Sequence, residues 1–151
     1  MSYFSGKWKV SNKNSSELAT ILRYSGHGKI AANLIARQNF VVNVSHVIDV
    51  NTQEEELYLT IKIAFRKIVK KYPLTNFQRV AVDIHGDSFS ESITYNKELK
   101  QLLINTTYLE KSLIIKEEWT LVSETRCQHR ITVTNPQNEE ISTVLLYDKK
   151  E

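Results

Sequence analysis

The residues able to do chemistry in this 151-residue chain are few and scattered. Cys127 and His129 stand two apart, so on a strand they share one face. His27, His46 and His85 lie far from them in sequence. A metal site needs several ligands at matched spacing, so the sequence predicts none, and Cys127 reads as a small buried hydrophobe. Ser45-His46 lacks the glycine pattern of a nucleophile elbow, and no phosphate-cradling loop is present. Glu54-Glu55-Glu56 falls at the start of an alternating segment and reads as solvated turn charge. The expectation is therefore a protein that is not an enzyme and uses no cofactor. Arg126 and Arg130 share a strand face, and an exposed face is where arginines ordinarily sit. The densest basic run, Arg66-Lys67-Ile68-Val69-Lys70-Lys71, reads as a charged strand that discourages edge pairing. Contact with anionic lipid headgroups is its functional alternative.

The elements that must position these groups follow from periodicity. Residues 7–11 form a short strand candidate. Asn14 has the character of a helix N-cap, with Glu17 three residues on as the partner of a capping box. Leu18, Ile21 and Leu22 follow at helical spacing. After the Gly26-His27-Gly28 breaker, Ile30, Ala31, Leu34 and Ile35 resume a helical face that ends near Arg37. From residue 39 the period becomes two. Phe40, Val42 and Val44 alternate with polar neighbours, as do Leu57, Leu59, Ile61, Ile63 and Phe65, and Val80, Val82 and Ile84. Further strands are predicted over 88–95, 98–107, 111–122, 126–134 and 140–149, with turn residues between them. In 111–122 one face carries Leu113, Ile115, Trp119 and Leu121 with Glu117, and the other carries Ile114 and Val122 with Lys116 and Glu118. Charges on both faces suit a barrel that encloses water and ligand better than a dry sandwich.

Composition bounds the answer. The length fits one domain spanning residues 1–151. One cysteine excludes an intrachain disulfide and favours a reducing compartment, so the expected location is the cytoplasm. Asn14, Asn43 and Asn105 begin glycosylation sequons, which without secretion are chance matches. A net charge of +3 is far below the basic excess of a nucleic-acid binder, so none is expected as a partner.

Phe4-Ser5-Gly6-Lys7-Trp8-Lys9-Val10 resembles the opening strand of the intracellular lipid-binding proteins, the fatty-acid- and retinoid-binding family of the calycin group, whose pattern there is Phe-x-Gly-x-Trp. The helix pair that follows is similar to that family's lid. Ser142-Thr143-Val144-Leu145-Leu146-Tyr147-Asp148-Lys149-Lys150-Glu151 resembles its closing strand. The resemblance implies a ten-stranded antiparallel up-and-down β-barrel with a helix-turn-helix after the first strand. It also implies intracellular binding and transport of one small hydrophobic ligand, a fatty acid, retinoid or other lipid, by a monomer. Many members hold a ligand carboxylate with two arginines and a tyrosine. Tyr147 keeps the tyrosine, but Leu145 stands where the last strand's arginine would be. Lys116 is the substitute for the earlier arginine, with Glu117 and Glu118 beside it as possible counter-charges. Arg126 and Arg130 are candidates to supply the lost charge; otherwise the ligand is neutral. Phe40, Phe65, Phe77, Phe89 and Trp119 are candidate cavity-wall aromatics. Lys29 and Arg37 on the second helix suggest transient contact with an anionic membrane surface. Two other readings stand beside this one: a barrel that has lost its ligand and serves as an interaction module, and a secreted lipocalin-like carrier.

Overall fold

The computed structural model describes residues 4–63, 66–74, 77–83 and 86–150. The chain opens with β1 (Gly6–Asn12), followed by α1 (Ser15–Tyr24) and α2 (Lys29–Ala36). Nine strands follow: β2 (Val41–Ile48), β3 (Glu55–Ile63), β4 (Arg66–Pro73), β5 (Phe77–Val82), β6 (Ser88–Asn96), β7 (Gln101–Tyr108), β8 (Leu113–Ser123), β9 (Arg126–Thr134) and β10 (Glu140–Lys150). All ten strands form one sheet in the order β4-β3-β2-β1-β10-β9-β8-β7-β6-β5. Every neighbouring pair is antiparallel. The sheet curls on itself, because β4 and β5, its two edges, line one cavity together with β8 and β9. No pairing joins β4 to β5 among the described residues. This is the expected ten-stranded barrel with its helix pair after the first strand, open along one seam.

Local chemistry explains the ends. Trp8 is buried, and its indole N–H donates to the Phe4 carbonyl at 2.8 Å. Gly6 has φ +136°, a backbone conformation that side-chain-bearing residues rarely adopt, which accounts for glycine at the start of β1. Lys149 extends over the Trp8 ring, 5.5 Å from its centroid. Val10 pairs with Tyr147 across the β1–β10 seam, which joins the two ends of the chain.

Asn14 caps α1 as expected, with Oδ1 accepting from the Glu17 backbone N–H at 3.1 Å. The reciprocal half of the capping box takes a different form. Glu17 Oε1 instead accepts from the Thr143 hydroxyl at 3.2 Å, tying the first helix to β10. Leu18, Ala19 and Ile21 are buried beneath α1. The buried face of α2 is rotated from the expected one. Ala32 and Ala36 are covered, whereas Ile30, Ala31 and Leu34 face outward. Small side chains let a second helix approach closely, and the larger aliphatics turn to the outside.

Strand β5 also inverts its expected face. Val80 and Val82 are among the most exposed large aliphatics. Arg79 lies opposite Glu91 of β6, and its guanidinium donates to Glu91 Oε1 at 2.6 and 2.8 Å. The ion pair fixes which side of β5 faces in, since a one-residue slip would reverse it. The centre of the core is aliphatic and nearly solvent-free around Leu57, Leu59, Ile93, Leu102, Ile104 and Leu145. Ile84 and His85 lie outside the described residues.

Candidate functional site

The inner face of β8 is set by its apolar residues. Leu113 and Trp119 are buried and Ile115 is half-buried, while Ile114 and Val122 are exposed. The period of two then carries Glu117 inward and Lys116 outward. On β9 the same rule buries Cys127, His129 and Val133 and turns Arg126 and Arg130 to the outside. On β10 it buries Thr143, Leu145 and Tyr147. On β4 the fully covered Tyr72 shares its face with Lys70, two residues before it.

These inward residues meet in one polar cluster. His129 Nε2 lies 3.0 Å from Glu117 Oε1, and both side chains are largely buried. The His129 ring stacks flat on Trp119, with centroids 3.6 Å apart and planes 10° from parallel. Tyr147 packs beside both rings, 5.5 Å from Trp119 and 6.4 Å from His129 between centroids. Burial opposes the charge on Glu117, but the Lys70 ammonium and the His129 hydrogen bond outweigh it and hold the carboxyl at about 2. Burial holds the His129 imidazole below its ordinary value against the pull of Glu117. The imidazole is therefore neutral at pH 7 and donates through Nε2–H, which leaves Nδ1 as an acceptor. That Nδ1 is buried and has no hydrogen-bond partner among the described residues. Burial also pushes the Tyr147 and Tyr72 phenols up, so both stay protonated. Cys127 is pushed up to about 12 by burial and is chemically inert.

The cluster sits where two spaces meet. Beneath the helices is a chamber of about 130 Å³, apolar along Leu18, Leu22, Phe40, Leu59 and Ile61. Lys70, Glu117, His129 and Tyr147 form its polar end. A larger cavity of about 810 Å³ shares Leu18, Leu22, Lys70, Tyr72 and Glu117 with it and reaches the seam between β4 and β5. Arg79 and Glu91 line that larger cavity, and Thr106 Oγ1 donates to Glu91 Oε2 at 3.4 Å.

The residues singled out from sequence separate into two groups. Tyr147 and Leu145 face inward, as do Phe40 and Trp119. Phe89 lines the larger cavity. Lys116, Arg126 and Arg130 correct the expectation. Lys116 is half exposed and lies 4.0 Å from Glu118 on the outer face. Arg130 lies 3.9 Å from the same Glu118, and Arg126 pairs with Asp148 at 3.1 Å. None of the three lines either space. Strand parity is the reason: each stands next to an apolar residue that claims the interior. Phe65 and the Phe77 side chain lie outside what the structure describes. Lys29 and Arg37 are exposed on and just beyond α2.

The polar groups lining the two spaces that the family pattern missed are Lys70, Glu117, His129 and the Arg79–Glu91 pair. For Glu117 and His129 a signal was present. Both stand in register with the apolar residues of their own strands, so they had to point inward with them. For Lys70 the signal was weak, because its strand mixes cations with aliphatics on both faces.

No protein-family model and no curated protein sequence matches this chain. Solved structures do. Secretory abundant heat soluble protein 4 from Ramazzottius varieornatus superposes with a TM-score of 0.69 at 12% identity, over 100% of this chain and 97% of that one. The fluorescent protein UnaG gives 0.67 at 12% identity, over 97% of each chain. As-p18, described as an extracellular fatty acid binding protein, gives 0.67 at 11% identity, over 98% of this chain and 96% of that one. At these identities the likeness is one of fold alone: a curled ten-stranded antiparallel sheet with a helix pair after its first strand.

Proposed function

We propose that this chain is a non-enzymatic carrier that holds one small hydrophobic ligand inside its barrel. The tail would lie in the apolar chamber under α1 and in the adjoining cavity, and the head would meet Lys70, Glu117, His129 and Tyr147. One observation carries this reading. Lys70, Glu117, His129 and Tyr147 gather charged and polar groups on one part of the wall of an otherwise apolar space, and Glu117 and His129 are joined there at 3.0 Å. A few convergent polar groups in a mostly apolar wall are what orient a ligand head. The larger cavity, at about 810 Å³, falls in the usual range for small-molecule sites, roughly 300–1,000 Å³. At roughly 25 cal/mol per Å², about 300 Å² of buried tail contributes about 7 kcal/mol before ordering costs. As-p18, which shares the fold, is described as binding fatty acid, and this supports a lipid as the ligand class.

We further propose that the protein acts as a monomer in the cytoplasm, where a free buried Cys127 is at home. Exposed Lys29 and Arg37 flank exposed Ile30 and Leu34, which suits brief contact with an anionic membrane. A secreted carrier is the second reading, favoured by two neighbours described as secretory or extracellular. Glycan on Asn43 or Asn105 of the native protein would decide for it. The test of the carrier reading is native mass spectrometry after exposure to a total lipid extract. One lipid retained per chain is expected. Bare protein alone would end the reading and leave an interaction module in its place.

A further inference from the structure

The cavity wall is electrically balanced, and this bears on the ligand's head. Its charged lining residues are three cations, Lys70, Lys71 and Arg79, and three carboxylates, Asp83, Glu91 and Glu117. Arg79 and Glu91 neutralise each other at 2.6 Å. At the polar end of the chamber only Lys70 and Glu117 are charged. No carboxylate among the described residues lies within the 4.0 Å of an ion pair with Lys70, yet its field is what keeps Glu117 ionised. The three cations that would have favoured an anionic head, Lys116, Arg126 and Arg130, stand outside with acidic partners of their own. Leu145 adds no charge beside Tyr147. A carboxylate brought to this end would set a second negative charge beside the largely buried Glu117, with Lys70 the one cation at that end among the described residues. A hydroxyl would add none. It could donate to the Glu117 carboxylate, and accept from the Lys70 ammonium or the Tyr147 phenol.

Resting on the carrier reading above, we propose that the barrel selects lipids with a neutral, hydroxyl-bearing head, long-chain or polyisoprenoid alcohols or sterols in chemical class, and disfavours carboxylates of the same tail. Glu117 is the discriminating residue.

The test is displacement of the neutral dye Nile red by oleyl alcohol, methyl oleate and oleate, on the wild-type protein and on Glu117→Gln. For each ligand the ratio of wild-type to variant affinity cancels differences in solubility. The expected result is that Glu117→Gln tightens oleate by about tenfold, because a like charge is removed from its side. It should weaken oleyl alcohol by about fivefold, since a charged acceptor becomes a neutral amide. Methyl oleate, which lacks a donor, should bind wild type more weakly than oleyl alcohol. Unchanged oleate affinity in the variant overturns the proposal, as does methyl oleate equal to the alcohol. A second measurement stands if the variant does not fold. Wild-type protein incubated with phosphatidylcholine vesicles holding oleyl alcohol and oleate in equal amounts should carry the alcohol in native mass spectra. Oleate as the dominant adduct overturns the proposal while leaving the carrier reading intact. No dye binding and no adduct of either lipid defeats the carrier reading itself.

Discussion

Replacing Glu117 with Gln should change how the fold responds to acid, by an amount that follows from the site. Glu117 is largely buried, and the Lys70 ammonium and the His129 N–H hold its carboxyl at about 2, against 4.5 for an ordinary glutamate. A carboxyl depressed in the folded state favours folding above its unfolded value and loses that contribution as pH falls toward the folded one. At ~1.4 kcal/mol per pH unit, the span from 4.5 to about 2 is worth about 3 kcal/mol at neutral pH. His129 acts in the same direction at milder acidity. Its imidazole is held below its ordinary value, so protonation favours the unfolded chain once pH drops below about 6.5. Urea unfolding followed by tryptophan fluorescence, at steps from about pH 7 to about pH 2, measures both contributions. Wild type should lose about 3 kcal/mol more than Glu117→Gln between about pH 5 and about pH 2, and the two stability curves should converge at the acid end, where both side chains are uncharged. Parallel curves for the two proteins would refute the claim that Glu117 is an ionised interior group.

Two further substitutions probe the orientation of the strands and the anchoring of the lid. Lys116→Met, on the outer face of β8, should leave ligand affinity within about twofold and stability within about 0.5 kcal/mol, as measured by dye titration and urea unfolding. Asn14→Ala should cost about 1 kcal/mol by removing the α1 cap, with amide hydrogen exchange speeding first across Ser15–Tyr24.

The fold was legible because its strands carry a clear period of two and its ends carry steric signatures. β6 to β10 fall within about three residues of the segments read from alternation alone. Asn14 announced the first helix, and Gly6 and Trp8 announced the seam. The site was less legible, and the reason is parity. Matching position 116 to a family arginine moved attention one residue from Glu117, and on a strand one residue is the whole thickness of the wall. Leu113, Ile115, Trp119 and Leu121 already specified the inner face, and they gave Glu117 as its charged member. Val80 and Val82 misled in the opposite sense. Their alternation suggested an inward face that the Arg79–Glu91 pair had already claimed, and no local pattern reports a partner twelve residues away. On α2, both Ile30 with Leu34 and Ala32 with Ala36 have helical spacing. Only the closeness of α1 decides which pair is covered.

The seam between β1 and β10 has a consequence for how the protein is made. Strand β1 has one of its two partners, β10, separated from it by all the other strands of the sheet in chain order. Until β10 is synthesised, β1 can lean only on β2, and the helices have no β10 to rest on through Glu17 and Thr143. The early meander therefore waits with an open flank of unpaired amides, a period in which a chaperone or a neighbouring nascent chain can compete for it. The two halves of the sheet join only when β10 docks on β1, and the interior is walled on both sides only from that moment.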